Sequence, residues 1–421
     1  MADEATEETS GSFLVAARRL AAWKFVPSIL IGIVTACAGA GGTSPSTSVQ
    51  PSAAISSATS IAEATPSAQA TPLPSPTTFP TEAFVAISDA PVSDETAAKF
   101  QGILEDMADG TRGMTATVMT ADGTWSGATG KADDVNDMLP ASQFGIASIT
   151  KSVIAAQVMQ LVETGELSLD DPATDYLATD FAFDTNGATI RQLLDMRAGI
   201  PDWYGDAMEK KVATDRSRVW RTADVLALVT ANRAPAGTEF LYTDTNYVLL
   251  GLVIEHVRGK PLVEVLRDGV LNVEGTERLV YQPAEAPTDP MAMPLSESRA
   301  ALVAGGGYLP SLSDASSAGP AGALASDSIS LARWWGAFCA GEIVSQASLT
   351  EMSWFGPDGY GLGLFDITDG GSVGHAGASF GYVSWAGCLP KDGAVIVVLS
   401  TYLFDDIGGM ATPLVRAVHS N

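Results

Sequence analysis

A serine and a lysine stand three residues apart, at Ser148 and Lys151, where a loop is predicted to enter an apolar helix. Residues three apart share one face of a helix, so the hydroxyl and the amine come within hydrogen-bond range, and the serine can become nucleophilic. The same spacing also arises by chance, with serine as a helix cap and lysine on the surface. Behind the pair, apolar residues recur at helical spacing and predict a buried stripe that ends near Gly165: Ile154, Val158, Leu161 and Val162.

A tyrosine, Tyr242, follows within the segment 240–251. Tyrosine accepts a proton readily only when a neighbouring positive charge lowers its pKa, and Lys151 could supply that charge. Taken alone, a tyrosine in such a segment is more often a core or hairpin aromatic.

A third segment, 374–378, contains two glycines and precedes the β-rich stretches 382–385 and 394–399. Glycine beside a strand lets a ligand backbone approach closely. Gly377 is the candidate for this close approach, and the amide of Ala378 can point at a developing oxyanion.

In this order the three segments resemble the motifs of the serine β-lactamase and penicillin-binding-protein superfamily: Ser-x-x-Lys, Tyr-x-Asn and Lys-or-His-x-Gly. The likeness is greatest to the branch that contains class C β-lactamases, D-alanyl-D-alanine carboxypeptidases and related esterases. It extends from about residue 115 to about residue 418. Further segments that look like this family are 161–172, 190–194, 235–238 and 360–363.

The resemblance implies a role for each matching residue. Ser148 would be the nucleophile that a carbonyl substrate acylates. Lys151 and Tyr242 would share the transfer of the serine proton to the leaving group. The amides of Ser148 and Ala378 would form the oxyanion hole, and His375 would line the other wall of the cleft.

Two positions depart from the family pattern. Asp244 stands where the family most often has Asn, so a carboxylate that only accepts hydrogen bonds replaces an amide that also donates them. We expect Asp244 to favour the charged form of Lys151 and to repel anionic substrates. Ala376 replaces a hydroxyl residue that helps to hold a substrate carboxylate, and His375 replaces the commoner Lys. Because both changes weaken the binding of a substrate carboxylate, we expect inefficient β-lactam hydrolysis. Histidine is partly charged near neutral pH, so we also expect anion binding at His375 to depend on pH.

The segment 377–381 also matches the Gly-x-Ser-x-Gly nucleophile elbow of α/β-hydrolases, with Ser379 as its serine. That elbow needs a strand before the serine and a helix after it, and then an acid and a histidine farther along the chain. The residues after Ser379 instead predict strands, and His419 is the only later histidine. We therefore predict that Ser379 is not the nucleophile.

The residues before the catalytic segments predict export. A basic region, a short apolar stretch and small residues precede Cys37, which is typical of a signal peptide and resembles the bacterial lipobox. We expect residues 1–36 to be the signal peptide and a lipid on Cys37 to hold the protein at the extracytoplasmic face of the bacterial membrane. An uncleaved N-terminal anchor is the alternative. Residues 37–84, rich in Ala, Ser, Thr and Pro, predict a disordered tether, and 85–421 the hydrolase domain.

The order of elements predicts an α+β fold of the β-lactamase/transpeptidase type. Strands near both ends of the domain, with helices between them, fit one antiparallel sheet flanked by helices and carrying a mainly helical lobe at about 150–290. The segment 289–330, rich in Gly, Ser, Pro and Ala, predicts a long loop. A helix is expected at 95–107 and another at 330–340, and strands are expected at 114–120 and 124–128.

Other residue types point away from metal and nucleic-acid sites. The three histidines and the three cysteines show no metal-ligand spacing, and no cofactor is expected. A formal net charge of −26 disfavours nucleic acid as a partner. Cys339 and Cys388 lie on a predicted helix and a predicted strand, so two buried free thiols are favoured over a disulfide.

The leading interpretation is an exported, lipid-anchored serine hydrolase that acts through a Ser148 acyl-enzyme on peptides, amides or esters. Its substrate would be a small molecule or a peptidoglycan peptide, with D-alanyl cell-wall peptides as the first to test. Two alternatives stay open. One is an esterase with the same mechanism, which Ala376 favours; the other is a non-catalytic cell-wall peptide-binding protein, which Asp244 alone favours.

Overall fold

The computed structural model describes residues 76–110, 113–177, 183–294, 298–367, 371–402, 404 and 406–420. The predicted signal peptide, Cys37 and most of the predicted tether lie outside these residues, so their assignments stay predictions. Within the described ranges, no helix is both long and apolar enough to cross a membrane.

The described residues contain nine strands and twelve α-helices. The strands are β1 Met114–Thr120, β2 Gly123–Thr129, β3 Phe144–Gly145, β4 Val280–Tyr281, β5 Leu324–Ser326, β6 Phe365–Asp366, β7 Val373–Ser379, β8 Tyr382–Leu389 and β9 Ala394–Ser400. The helices are α1 Asp94–Ala108, α2 Thr150–Glu163, α3 Ile190–Leu194, α4 Asp206–Thr214, α5 Thr222–Leu226, α6 Asp244–Arg258, α7 Leu262–Asp268, α8 Arg299–Ala304, α9 Leu312–Ala318, α10 Ser328–Cys339, α11 Gln346–Met352 and α12 Thr412–His419.

Six antiparallel strands form the main sheet in the order β2-β1-β9-β8-β7-β6. The N-terminal strand β1 pairs with the C-terminal strand β9, with Val118 opposite Ile396. Every residue of β9 is buried, as expected for a strand that is covered on both faces. The two ends of the domain therefore meet in the middle of one sheet, which confirms the predicted architecture.

Helices cover both faces of this sheet. On one face Thr117 of β1 donates a hydrogen bond to Ser328 at the start of α10. On the other face Trp125 of β2 packs against Phe100 of α1, with ring centroids 5.5 Å apart. Between β2 and β6 the chain builds the mainly helical region α2 to α9, together with a small sheet in the order β3-β5-β4. The turn at 147–149, between β3 and α2, packs against β7 and β8 of the main sheet.

The domain begins earlier than predicted. Phe79 and Phe84 lie within the predicted tether, yet both rings are buried and they stack on each other with centroids 5.9 Å apart. The backbone N–H of Phe79 also donates to the Thr350 hydroxyl at 3.0 Å. Composition alone predicts that the domain begins at residue 85, because two aromatic residues hardly change the average composition of a segment rich in small residues.

The predicted long loop at 289–330 is also wrong. This segment contains the short helices α8 and α9 and the strand β5, which pairs with both β3 and β4. Each helix begins with a serine cap, since the side chains of Ser298 and Ser311 accept backbone hydrogen bonds. Small and polar residues predicted a loop, whereas caps and tertiary pairing stabilise regular structure.

Cys339 and Cys388 form a disulfide, contrary to the prediction of two free thiols. Helix α10 packs across β8, and this crossing brings the end of the helix over the strand. Both cysteines are fully buried. Helical and strand periodicity give no information about where a helix crosses a sheet, so the sequence could not show this contact.

Candidate active site

Ser148 lies in a 3-10 turn, Ala147–Ile149, between β3 and α2. Ala147 has a left-handed backbone with φ 46°, a conformation that costs free energy for a residue with a Cβ. Hydrogen bonds on both sides of Ile146 hold the turn, because its N–H donates to Leu324 at 2.9 Å and its carbonyl accepts from Ser384 at 2.8 Å. Ser148 is thereby held half-exposed between buried neighbours.

Lys151 is fully buried in the first turn of α2, and its ammonium has three partners. The Nζ atom donates to Ser148 Oγ at 3.0 Å, to Asp244 Oδ1 at 2.6 Å and to the Ala321 carbonyl at 2.8 Å. Burial alone would lower the pKa of this lysine, but the Asp244 carboxylate and Tyr242 outweigh it and raise the pKa to about 12. Lys151 is therefore a fixed cation at neutral pH, in agreement with the expectation drawn from Asp244.

Tyr242 is part of the same cluster. Its hydroxyl lies beside Ser148 and Lys151, and the lysine Nζ lies 5.1 Å from its ring centroid. Burial raises the pKa of Tyr242 and outweighs the opposite effect of Lys151. The prediction that the lysine charge makes Tyr242 a ready base is therefore wrong for the resting site. Tyr242 stands as a neutral phenol that can accept one proton while it gives up another.

Strand β7 lies directly across from Ser148. An added Cβ on Gly377 would come within 2.9 Å of the Ser148 backbone nitrogen. The two backbone segments are therefore so close that only glycine fits at position 377. The Ile367 N–H donates to the Ser372 carbonyl just before β7. Because peptide groups alternate along a strand, the Ala378 N–H points to this same edge, away from β8. The amides of Ser148 and Ala378 are thus placed where the resemblance puts an oxyanion hole.

The side chain of His375 lies on the same face of β7 as Gly377, but it is buried and neutral. Burial and the charge of Lys151 lower its pKa to about 3, although its hydrogen bond with the Ala376 carbonyl acts in the opposite direction. Its ring lies among aromatic rings, with centroids 5.0 Å from Phe365 and 6.3 Å from Tyr242. The expected partial charge on His375 is therefore wrong, which removes the basis for the pH-dependent anion binding drawn from it.

The fold and this cluster agree with the comparison with known proteins. The sequence model of the family described as Beta-lactamase matches residues 98–419. The chain belongs to this beta-lactamase family. Members of the family are serine hydrolases, and they include penicillin-binding proteins.

Three curated relatives illustrate how far the similarity extends. Penicillin-binding protein 4 of Amycolatopsis lactamdurans is 30% identical over 308 residues, which is 64% of this chain and 74% of the relative. The 6-aminohexanoate-dimer hydrolase of Paenarthrobacter ureafaciens is 31% identical over 130 residues, 29% of this chain and 33% of the relative. The match to protein flp of Staphylococcus aureus spans 26% of that protein. The last two matches thus cover only a third or less of the relatives.

Solved structures match the beta-lactamase-type domain as a whole. A D-stereospecific amidohydrolase from Streptomyces sp. is 25% identical with a TM-score of 0.60, covering 76% of this chain and 98% of that chain. D-amino acid amidase from Ochrobactrum anthropi SV3 is 25% identical with a TM-score of 0.62, covering 76% and 99%. The similarity therefore extends over nearly the full length of both amidohydrolases.

The structure adds residues that the motifs did not indicate. The Ala321 carbonyl holds Lys151, and Asp202 accepts hydrogen bonds from the backbone N–H groups of Tyr204 and Asp244. No local pattern could find these groups, because the segments that carry Ala321, Asp202 and Asp244 are far apart in the sequence and meet only in the folded protein.

Ser379 does not have the setting of a nucleophile elbow. It ends β7 and is followed by a turn and by β8, not by a helix. His419 instead contacts Asp392, with 2.8 Å between Nδ1 and Oδ2. The hydroxyl of Ser379 donates to Asp314 Oδ2 at 2.9 Å.

Gly377→Ala should separate the two sides of the oxyanion hole. The added methyl would meet the Ile146 carbonyl at 2.4 Å and the Ser148 nitrogen at 2.9 Å, so β7 must move outwards. Because loss of one oxyanion donor costs about 10²–10³-fold, we expect acylation to slow by about 100-fold. Stopped-flow rates with a p-nitrophenyl ester measure this. The control is Gly102→Ala, where no atom lies within 4 Å of an added Cβ; equal rates for Gly377→Ala and wild type would contradict the assignment.

Proposed function

We propose that this protein is a serine hydrolase that forms an acyl-enzyme on Ser148 with amide, peptide or ester substrates. The observation that carries the proposal is the Lys151 ammonium, fully buried and in contact with both Ser148 and Asp244. Burying a charge costs free energy unless it is paired, and here the charge is paired beside a half-exposed hydroxyl. The membership of the beta-lactamase family supports the same function.

In the proposed reaction, Ser148 Oγ attacks the substrate carbonyl carbon. The serine proton passes to the Tyr242 oxygen while Tyr242 gives its own proton to the leaving nitrogen or oxygen. This exchange needs no free base, which suits a tyrosine whose pKa is raised. The Lys151 ammonium stabilises the charge that develops on the two oxygens, and the amides of Ser148 and Ala378 stabilise the oxyanion. Water then attacks the ester along the reverse proton route.

The substrate we propose is a small amide or peptide, with D-alanyl wall peptides as one candidate and D-amino acid amides as another. The second candidate is supported by the structural similarity to D-amino acid amidase. Benzylpenicillin should be a poor substrate, because its carboxylate would meet Asp244, a neutral His375 and no hydroxyl at Ala376. The alternative is an esterase with the same mechanism. Ala376 supports it, because no hydroxyl is present at this position to hold a substrate carboxylate.

Rapid mixing tests the proposed function. A p-nitrophenyl ester should give a burst of p-nitrophenol equal to the enzyme concentration, followed by slower turnover, because acylation precedes hydrolysis of the acyl-enzyme. Benzylpenicillin and a D-amino acid p-nitroanilide, tested in parallel, rank the substrate classes. The absence of both a burst and turnover with every substrate would overturn the proposal and favour a binding protein.

We also propose export and lipid attachment through Cys37, supported by the basic and apolar residues before it. Multiple acyl chains on one cysteine hold a protein firmly at a membrane, whereas one chain binds only marginally. Cys37→Ser should release soluble or unprocessed protein from the membrane fraction. Unchanged partition together with an intact N-terminal peptide in the mass spectrum would favour the uncleaved anchor instead.

A further inference from the structure

Asp314 is a buried carboxylate that the proposed reaction does not use. Its side chain lies on α9 at the cleft wall, and the residue is 6% exposed. Its carboxylate accepts a hydrogen bond from the Ser379 hydroxyl, and among the described residues it forms no ion pair. Burial, together with the nearby Asp244 carboxylate, raises its pKa to about 7. An acid in this setting would gain more from a cation than an exposed acid would, because the surroundings solvate it poorly.

The register of β7 places Asp314 relative to the reacting serine. Side chains alternate along a strand, so His375, Gly377 and Ser379 share the face that turns towards Ser148. Successive residues on one face are about 7 Å apart. His375 therefore lies on one side of the reacting centre and Ser379, with Asp314 bound to it, on the other.

The proton route assigns the two sides to the two halves of a substrate. His375 lies beside Tyr242, with ring centroids 6.3 Å apart, and Tyr242 must face the leaving group to protonate it. The leaving half thus occupies the His375 side, and the acyl half extends towards Ser379 and Asp314.

We propose that Asp314, positioned by Ser379, binds a primary ammonium group on the acyl half of the substrate. This inference rests on the proposed function and names its substrate class: amides or esters of amino acids with a free amino group. The acyl side supplies a carboxylate with one hydroxyl partner and, within the described residues, no competing lysine or arginine in ion-pair contact. An N-acylated substrate would instead leave that carboxylate buried without a cation.

The test compares D-phenylalanine p-nitroanilide with its N-acetyl derivative. We expect wild type to favour the free amine in kcat/KM by about 100-fold, because truncating one partner of a buried charge pair costs a factor of this size or more. Asp314→Asn should bring this ratio close to one. The control is Asp137→Asn at an exposed ion pair with Lys131, which should keep the wild-type ratio.

Three results would separate the possibilities. A wild-type ratio near or below one overturns the inference even if Asp314→Asn fails to fold. Equal losses for both substrates in Asp314→Asn also overturn it, because they would show that Asp314 only stabilises the end of β7. Turnover of a p-nitrophenyl ester is measured in the same preparations. If that ester is hydrolysed in a Ser148-dependent manner while the ratio is near one, the proposed function stands and only the inference fails.

Discussion

Ser148→Ala is expected to abolish turnover and covalent labelling while the fold is kept. Removing a catalytic nucleophile costs about 10⁴-fold or more in rate, since only binding and the oxyanion hole remain. The substitution deletes one oxygen, and Lys151 keeps its contacts with Asp244 and Ala321. We therefore expect the free energy of unfolding to change by about 1 kcal/mol or less. Ester hydrolysis and denaturant unfolding measure the two effects.

The comparison that matters for this variant is Ser379→Ala. If fluorophosphonate labelling survived in Ser148→Ala but disappeared in Ser379→Ala, the nucleophile would be Ser379. A rate in Ser148→Ala within tenfold of wild type would likewise contradict the account. A loss of rate accompanied by unfolding would be recognised from circular dichroism.

Lys151→Met is expected to slow acylation by about 10³-fold, the middle of the range for groups that assist proton transfer. Methionine fills similar space but removes the cation that holds Ser148 and Tyr242. The side chain of Asp244 is 26% exposed, so the carboxylate left behind keeps some solvent. The loss of stability should therefore be smaller than the roughly 3–5 kcal/mol for breaking a fully buried pair. Single-turnover rates and urea unfolding measure both effects.

The pH dependence gives a second check on Lys151. Folding raises its pKa from 10.5 to about 12, so the ion pair contributes its full stability below about pH 10.5 and loses it as the pH rises through about 12. Wild-type acylation should accordingly show no alkaline decline from Lys151 near neutral pH. The matched control is Lys131→Met, whose side chain is 60% exposed. A rate for Lys151→Met within tenfold of that control would exclude the lysine from the reaction.

The sequence predicted the elements that local pattern determines. Helix α1 and strands β1 and β2 lie within a residue or two of their predicted bounds, because apolar periodicity and the Asp122-Gly123 turn are local signals. The three motif segments also meet at one site as predicted. Their spacing alone could not place them together; the resemblance to a known family did.

What the sequence could not predict depends on how separate segments pack. The neutral state of His375 follows from burial among aromatic rings, and the raised pKa of Tyr242 from burial that outweighs a nearby charge. Neither effect is visible in residue type. The contact between Asp314 and Ser379 joins residues 65 positions apart. Asp314 lies in the segment 289–330, which composition alone predicted to be a loop.

The most direct test of the central claim is to locate the adduct after reaction with a fluorophosphonate. The labelled protein is digested, and the modified residue is identified by tandem mass spectrometry. The account predicts a single stoichiometric adduct on Ser148, in the peptide that spans β3 and the start of α2, and none after Ser148→Ala. A stoichiometric adduct on Ser379 or on any other residue, with Ser148 unmodified, would contradict it.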